Sequence, residues 1–420
     1  MTKTAIILAV FILFQTNLFS AVYTVGQGKA YATIAAVPVL SPGDVIEIYP
    51  GIYNEYKLFT VSGSKDKPIT IKGVGVEKPV IDGTGLDVSG VGKIPRALFQ
   101  IDGDNYTFEN LEFKNADNTN GHNGAGLRIM GANVTVRGCK ISKCENGIMS
   151  SGRASVLVEG CEIFECGSRH EIGYSHNMYM GGVSFTLKES YIHDSICAQN
   201  VKSRAHYNEL LYNYIADANS GEVDLVEAKE TAAPNSNAVL IGNIIIKRSA
   251  PSKSGIAGNN SKFITFGKDG KGERNGTIYL INNTIISGME KNKPVWLSSK
   301  TKAELYNNIF YGNARVLADI FSKENSSGSN NWFPAGIEVP AGLKENIQGK
   351  DPGFVNPEKR DFHLKSNSIC INAGLSSPEY FDGAGVVHSG VPVVQYAEHL
   401  KSVFRKSSGR PALGAYEYIP

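Results

Sequence analysis

The sequence predicts an all-β solenoid, a parallel β-helix, and three observations carry that prediction. First, a short pattern recurs: apolar, any residue, apolar, then Asn or Gly, then a polar or small residue, then apolar, as in Val136-Arg137-Gly138-Cys139-Lys140-Ile141 and Val158-Glu159-Gly160-Cys161-Glu162-Ile163. Second, two cysteine pairs repeat one interval of 22 residues, from 139 to 161 and from 144 to 166. Third, the same alignment continues through Ser190, Asn213, Asn243, Asn283 and Asn308, at intervals of 29, 23, 30, 40 and 25 counted from Cys161. A core of about 22 residues with insertions at the loops is what a coil of several short strands produces. Strands of adjacent coils lie about 4.8 Å apart, so equivalent residues stack into ladders at an inner corner.

In chain order, Lys3 precedes the apolar run Ala5 to Phe14, polar Gln15-Thr16-Asn17, and small residues at Ser20 and Ala21. This reads as a signal peptide over 1–21, too short to span a bilayer, and implies a secreted or periplasmic protein. Residues 22–420 read as one domain, closed by a capping region over about 376–420 in which Ala397 to Phe404 is expected to form a short helix. Lys268 to Gly276 and Ser326 to Asn331 read as turn-rich loops between coils. Of the six cysteines, Cys139 with Cys161 and Cys144 with Cys166 fall at equivalent points of neighbouring coils, which favours buried stacked thiols over bridges, and no Cys-x-x-Cys pair or Cys/His cluster suggests zinc.

Composition narrows the function. The 420 residues include 45 Gly, 19 Tyr and 18 Phe, with 20% charged and a net charge of +2, so the chain is globular and lacks the basic excess that a phosphate backbone demands. Nucleic acid is excluded as partner and no membrane span remains after the leader; a monomer is expected. Gly26-Gln27-Gly28 precedes no helical pattern, which argues against a dinucleotide site.

The start, Tyr23-Thr24-Val25-Gly26-Gln27-Gly28, Tyr31-Ala32-Thr33-Ile34, Pro42-Gly43-Asp44-Val45-Ile46 and Tyr49-Pro50-Gly51-Ile52-Tyr53, resembles the first coil of the right-handed parallel β-helix proteins of the pectin-lyase-like superfamily. Asp351 to Asn356, Ser366 to Gly374 and Leu413 to Tyr418 resemble the closing coils of secreted members. The resemblance runs almost end to end and implies a right-handed helix; fold alone implies no chemistry.

Chemistry concentrates in the central coils. His176-Asn177-Met178-Tyr179 lies 23 residues before Gln199-Asn200-Val201-Lys202, matching the local ladder interval from 190 to 213. Alternation then sends Met178 and Val201 inward and Asn177, Tyr179, Asn200, Lys202 and Arg204 outward. In Glu222-Val223-Asp224-Leu225 the same logic turns Glu222 and Asp224 outward, and a register of 22 sets Asp224 beside Lys202.

This patch suits β-elimination of a uronate polysaccharide: Lys202 as base, Arg204 as partner of the substrate carboxylate and a like charge beside Lys202, and Tyr179 or His176 as acid. Asn177, Asn200, Arg169 and His170 are expected to contact substrate, and Glu222 and Asp224 to orient the cations or hold calcium, an oxygen-seeking ion. The block Asn200 to Ala205 also resembles a segment of lyase-like secreted β-helix proteins, in which His often precedes the Asn; here the residue is Gln199, which leaves His176 as the imidazole. Polysaccharide lyases of the superfamily commonly use a Lys or Arg base, often with calcium. Two alternatives stand beside the lyase: a glycoside hydrolase using a carboxylate pair among Asp194, Asp217, Glu222 and Asp224, and a non-catalytic carbohydrate-binding protein.

Overall fold

The computed structural model describes residues 20–118, 124–168, 173–247, 262–267, 269–270, 272–288, 293–298, 300–312, 325–407 and 409–419. Residues 1–19 of the leader expected over 1–21, together with Arg169 and His170, lie outside them. Among the described residues no helix is long and apolar enough to cross a membrane.

Among the described residues the central coils each contribute one short strand to each of three parallel sheets, of 9, 13 and 12 strands in all, here called sheets I, II and III. One coil shows the plan: Val201–Ser203 in sheet I, Tyr207–Leu211 in sheet II, Tyr214–Ala216 in sheet III, and then Val223–Val226 back in sheet I. Inward residues such as Val201, Leu210, Ile215 and Val223 are fully buried and stack on their counterparts in one continuous core.

The corner between sheets II and III explains the repeated motif. One residue there adopts left-handed φ (Gly138, Gly160, Glu189, Tyr212, Gly242, Asn282 and Asn307), which is why Gly and Asn recur. At Gly242 a Cβ would also meet the Tyr212 ring at 2.7 Å. The next residue turns inward and hydrogen-bonds to the coil above: the Asn213 backbone N–H donates to Asn243 Oδ1 at 2.9 Å, Asn243 to Asn283 at 3.0 Å and Asn283 to Asn308 at 2.9 Å. The ladder begins at Cys139, whose N–H reaches Cys161 Sγ at 3.4 Å, and runs past the last expected rung through Asn331 to Asn346. All six cysteines are free and buried, and Cys139 stacks on Cys161 as expected.

The C-terminal segment corrects one expectation and adds a feature. Ala397 to Phe404 is no helix: Val394–Glu398 and Lys401–Phe404 form an antiparallel hairpin turning at Leu400, φ 56°. Gln395 and Tyr396 of the first strand are buried, while Val403 and Phe404 of the second are exposed. Residues from Phe354 onward lie back over the solenoid: Phe354, Phe362, Tyr396 and Tyr416 pack on Ile244 and Ile246 of sheet III. Tyr380 and Val394 pack on Val239, Tyr279 and Ile281 of sheet II. Arg405 pins this tail from within, donating to the Ala412 and Gly414 carbonyls and pairing with Glu417 at 3.3 Å. Among the described residues no such cluster joins the tail to the outer face of sheet I.

Candidate active site on the open sheet

The outer face of sheet I presents one row of stacked side chains: Gln100, Arg128, Met149, Tyr179, Lys202, Asp224, Thr265 and Trp296, each paired in register with the next. The expected stacking of Tyr179, Lys202 and Asp224 is therefore what the backbone builds.

Lys202 is the centre of the row's polar cluster. Its ammonium donates to Asp269 Oδ2 at 2.7 Å and lies 3.4 Å from Asp224 Oδ2. Arg204, two residues along, donates from Nε to Tyr179 Oη at 3.0 Å, from one terminal nitrogen to Asp269 Oδ2 at 2.8 Å, and from the other to the Glu227 carbonyl. Asp269 is itself held by its N–H on Glu227 Oε2 at 2.6 Å. It was not singled out from the sequence: it lies in the turn-rich loop, 45 residues beyond Asp224, and only the closing of that loop over sheet I brings it to Lys202.

The electrostatics follow from these contacts. Burial raises the Asp224 carboxyl above its ordinary range, with Lys202 working against the rise. Burial pushes Asp269 the same way, but Lys202 and Arg204 outweigh it and hold that carboxyl below the usual range. Burial disfavours the Arg204 cation, yet Tyr179, Asp269 and Glu227 overcompensate and raise it. Three coils toward the N-terminus, half-buried Arg128 is lowered by burial and then by Arg96. Its one hydrogen bond among the described residues is a long contact to Met149 Sδ, 3.7 Å.

Four expected site residues are placed differently. Asn177 and Asn200 do not face solvent: both are fully buried, Asn177 Nδ2 donating to Asn200 Oδ1 at 2.8 Å and Asn200 Nδ2 to Glu222 Oε2 at 2.6 Å. Glu222 is no outward metal ligand either. It ends this second ladder fully buried, with Lys247 3.4 Å away, and burial, against the pull of Lys247, pushes it up to about 7. The strands of sheet I begin only at Met178, Val201 and Val223, so the preceding residue sits in the corner, where alternation does not apply. His176, one residue further back, is buried under the Tyr179 ring with centroids 5.3 Å apart. Burial, reinforced by Lys202, pushes it down to about 3, which favours the neutral ring, and the imidazole lies beneath Tyr179 rather than on the outer face.

Calcium takes six to eight oxygen ligands. Here the Lys202 ammonium stands between Asp224 and Asp269, and no group of three His, Cys, Asp or Glu gathers among the described residues. The donor set does not fit the ion, and no step below is routed through it. Of the carboxylates weighed for hydrolysis, Asp217 is taken by a bidentate bond from Arg360 at 2.7 and 2.9 Å, and Asp194 by His193 at 2.9 Å.

Residues 69–180 match the family model for a right handed beta helix region. Among solved structures the chain is similar to pectate lyase Pel9A, at 16% identity and a TM-score of 0.60, covering 95% of this chain and 97% of that one. It is more distantly similar to a GH136 lacto-N-biosidase from Eubacterium ramulus, at 15% identity, 78% and 68% coverage and TM-score 0.45. An alginate lyase from Paenibacillus sp. str. FPU-7 stands at 15% identity, 73% and 89% coverage and TM-score 0.40. No curated protein matches the chain.

Proposed function

Starting from a right-handed parallel β-helix of the pectin-lyase-like fold, we propose that this chain acts outside the cytoplasm on an acidic polysaccharide and cleaves it by β-elimination along sheet I. The observation that carries this reading is the convergence of Lys202, Arg204 and Tyr179 in one hydrogen-bonded cluster on the face that the tail leaves clear. Half-buried Arg128, without a carboxylate bonded to it, supports a polyanion along the same row, because a cation removed from water favours an anionic partner.

A uronate carboxylate entering the cluster replaces Asp269 on Arg204, whose planar fork takes carboxylates in pairs of bonds. The same displacement takes one of the two carboxylates from the Lys202 ammonium; once that ammonium has given a proton to solvent, its neutral amine removes the proton beside the carboxyl group. The C–H pair becomes the new C=C bond, and the glycosidic C–O bond breaks. The Tyr179 oxygen already accepts from Arg204, so its own O–H is left to protonate the departing oxygen. Lys202 ends protonated and Tyr179 deprotonated, and solvent resets both.

A second reading has its own observation. Asp224 and Asp269 share Lys202 while their environments push the two carboxyls in opposite directions, the pattern of an acid and base pair for glycoside hydrolysis. Product chemistry separates the readings. On a panel of polyuronates, elimination yields an unsaturated, ultraviolet-absorbing end, and Lys202→Ala is expected to lower that signal about 10²- to 10⁴-fold with the melting temperature checked in parallel. Reducing ends without the absorbance would transfer the assignment to hydrolysis, and retention of full activity in the variant would remove Lys202 from the mechanism.

A further inference from the structure

Away from the open sheet, the described residues enclose a groove of about 370 Å³ where the tail stops short on the outer face of sheet III. That lies within the roughly 300–1,000 Å³ of small-molecule sites. Tyr191 and Tyr214 come from neighbouring coils of sheet III, and Tyr396, Tyr416, His399 and Lys359 from the tail. The rings are fixed before any ligand arrives. Tyr191 stacks on His193 with centroids 3.9 Å apart and meets Tyr214 and His399 at right angles, at 5.3 and 5.6 Å. Tyr214 leans on Tyr396 at 5.6 Å, and His363 stacks on Tyr416 at 4.0 Å.

The charges around the rings are mostly spent. Arg360 is held in two bonds by Asp217, His363 Nδ1 is 2.7 Å from Asp361 Oδ1, and Glu398 is bonded by Lys401. Lys359 is the exception: its ammonium has no carboxylate partner among the described residues. A wall of tyrosine rings takes the C–H face of a pyranose, their hydroxyls and the paired polar groups take its edge, and one unmatched cation takes one negative charge.

We propose that this groove binds a single acidic pyranose of a glycan chain, its ring against Tyr191 and Tyr214 and its carboxylate at Lys359. Tyr191 stands in the last strand of one coil and Lys202 in the first strand of the next, joined by the corner 194–200, so a polymer held here lies near sheet I without occupying it. The binding does not depend on whether the chemistry at Lys202 is elimination or hydrolysis.

The test is calorimetric titration of the full chain carrying Lys202→Ala, to prevent turnover, with a galacturonate trisaccharide and with cellotriose as neutral probe. The proposal expects a site for the acidic sugar that survives in this background, weakens about tenfold in Tyr191→Ala and in the exposed-hairpin variant His399→Ala, and loses its preference over cellotriose in Lys359→Gln. His399→Ala guards against a folding defect at Tyr191. Unchanged affinity in both ring variants, equal binding of the two sugars by the parent, or no binding of either sugar at millimolar concentration would overturn it. Because the readout is binding, a failure here is separable from a failure of turnover at sheet I.

Discussion

Sheets II and III and sheet I are built from the same coils, yet their outer rows have opposite chemistry. The outward positions of sheet III run from Glu112, Lys140 and Glu162 through Tyr191 and Tyr214 to Ile244, and those of sheet II reach Val239, Ile241 and Tyr279. They turn apolar where the tail lies on them. The outward row of sheet I stays polar through the same coils, as Lys202, Asp224 and Thr265. Strand alternation says only which residues leave the core. Whether they then meet water, a ligand or another part of the chain depends on where the last seventy or so residues settle.

The sharpest way to break this contrast is to release the tail. Arg405 and Glu417 are both buried, and removing one partner leaves an uncompensated charge, so Arg405→Ala is expected to cost about 3–5 kcal/mol in urea unfolding. If the tail only decorates the solenoid, the variant will unfold at the wild-type midpoint.

A smaller effect separates the scaffold from the site. Asn243 donates to Leu210 O and Asn283 Oδ1 and accepts from Asn213, all buried. Asn243→Ala orphans these groups and is expected to cost about 1–3 kcal/mol while leaving the specific activity of the folded fraction unchanged. A proportionate loss of activity per folded molecule would mean that the ladder also tunes sheet I.

The smallest effect is a pH dependence at the corner leading into sheet I. Burial raises Glu145 to about 7, against the N–H of Gly124 that it accepts, so its neutral form contributes stability that is complete below the unfolded value of 4.5 and lost as pH rises through 7. His176 works oppositely: with its folded value pushed down to about 3, the stability it lends as a neutral ring is present above 6.5 and lost as pH falls toward 3. Glu145→Gln should flatten the decline in melting temperature between pH 5 and 8, and His176→Gln the decline below pH 6. Parallel curves for variant and parent would refute the corresponding assignment.

Much of this was legible in the chain. The ladder positions from Cys139 to Asn308 and the register of Tyr179, Lys202 and Asp224 could be read because stacking forces equivalent residues to recur at the coil length. Asn177, Asn200 and Glu222 were misread because the first residue of each block belongs to a corner, and a period of two holds only inside a strand. Asp269 carries no local signal, since its partners are contributed by two other coils, and the hairpin of 394–404 is shaped by Tyr396 packing on sheet III.

The sequence by itself determined the solenoid, its coil length and the row on which Lys202 stands, because those are consequences of local periodicity repeated at a fixed interval. Only the tertiary structure decided that Asp269 closes on Lys202, that three polar residues turn inward, and that the tail covers two faces and, among the described residues, leaves the third clear. These are contacts between segments far apart in the chain, selected by burial and charge pairing that no single repeat encodes.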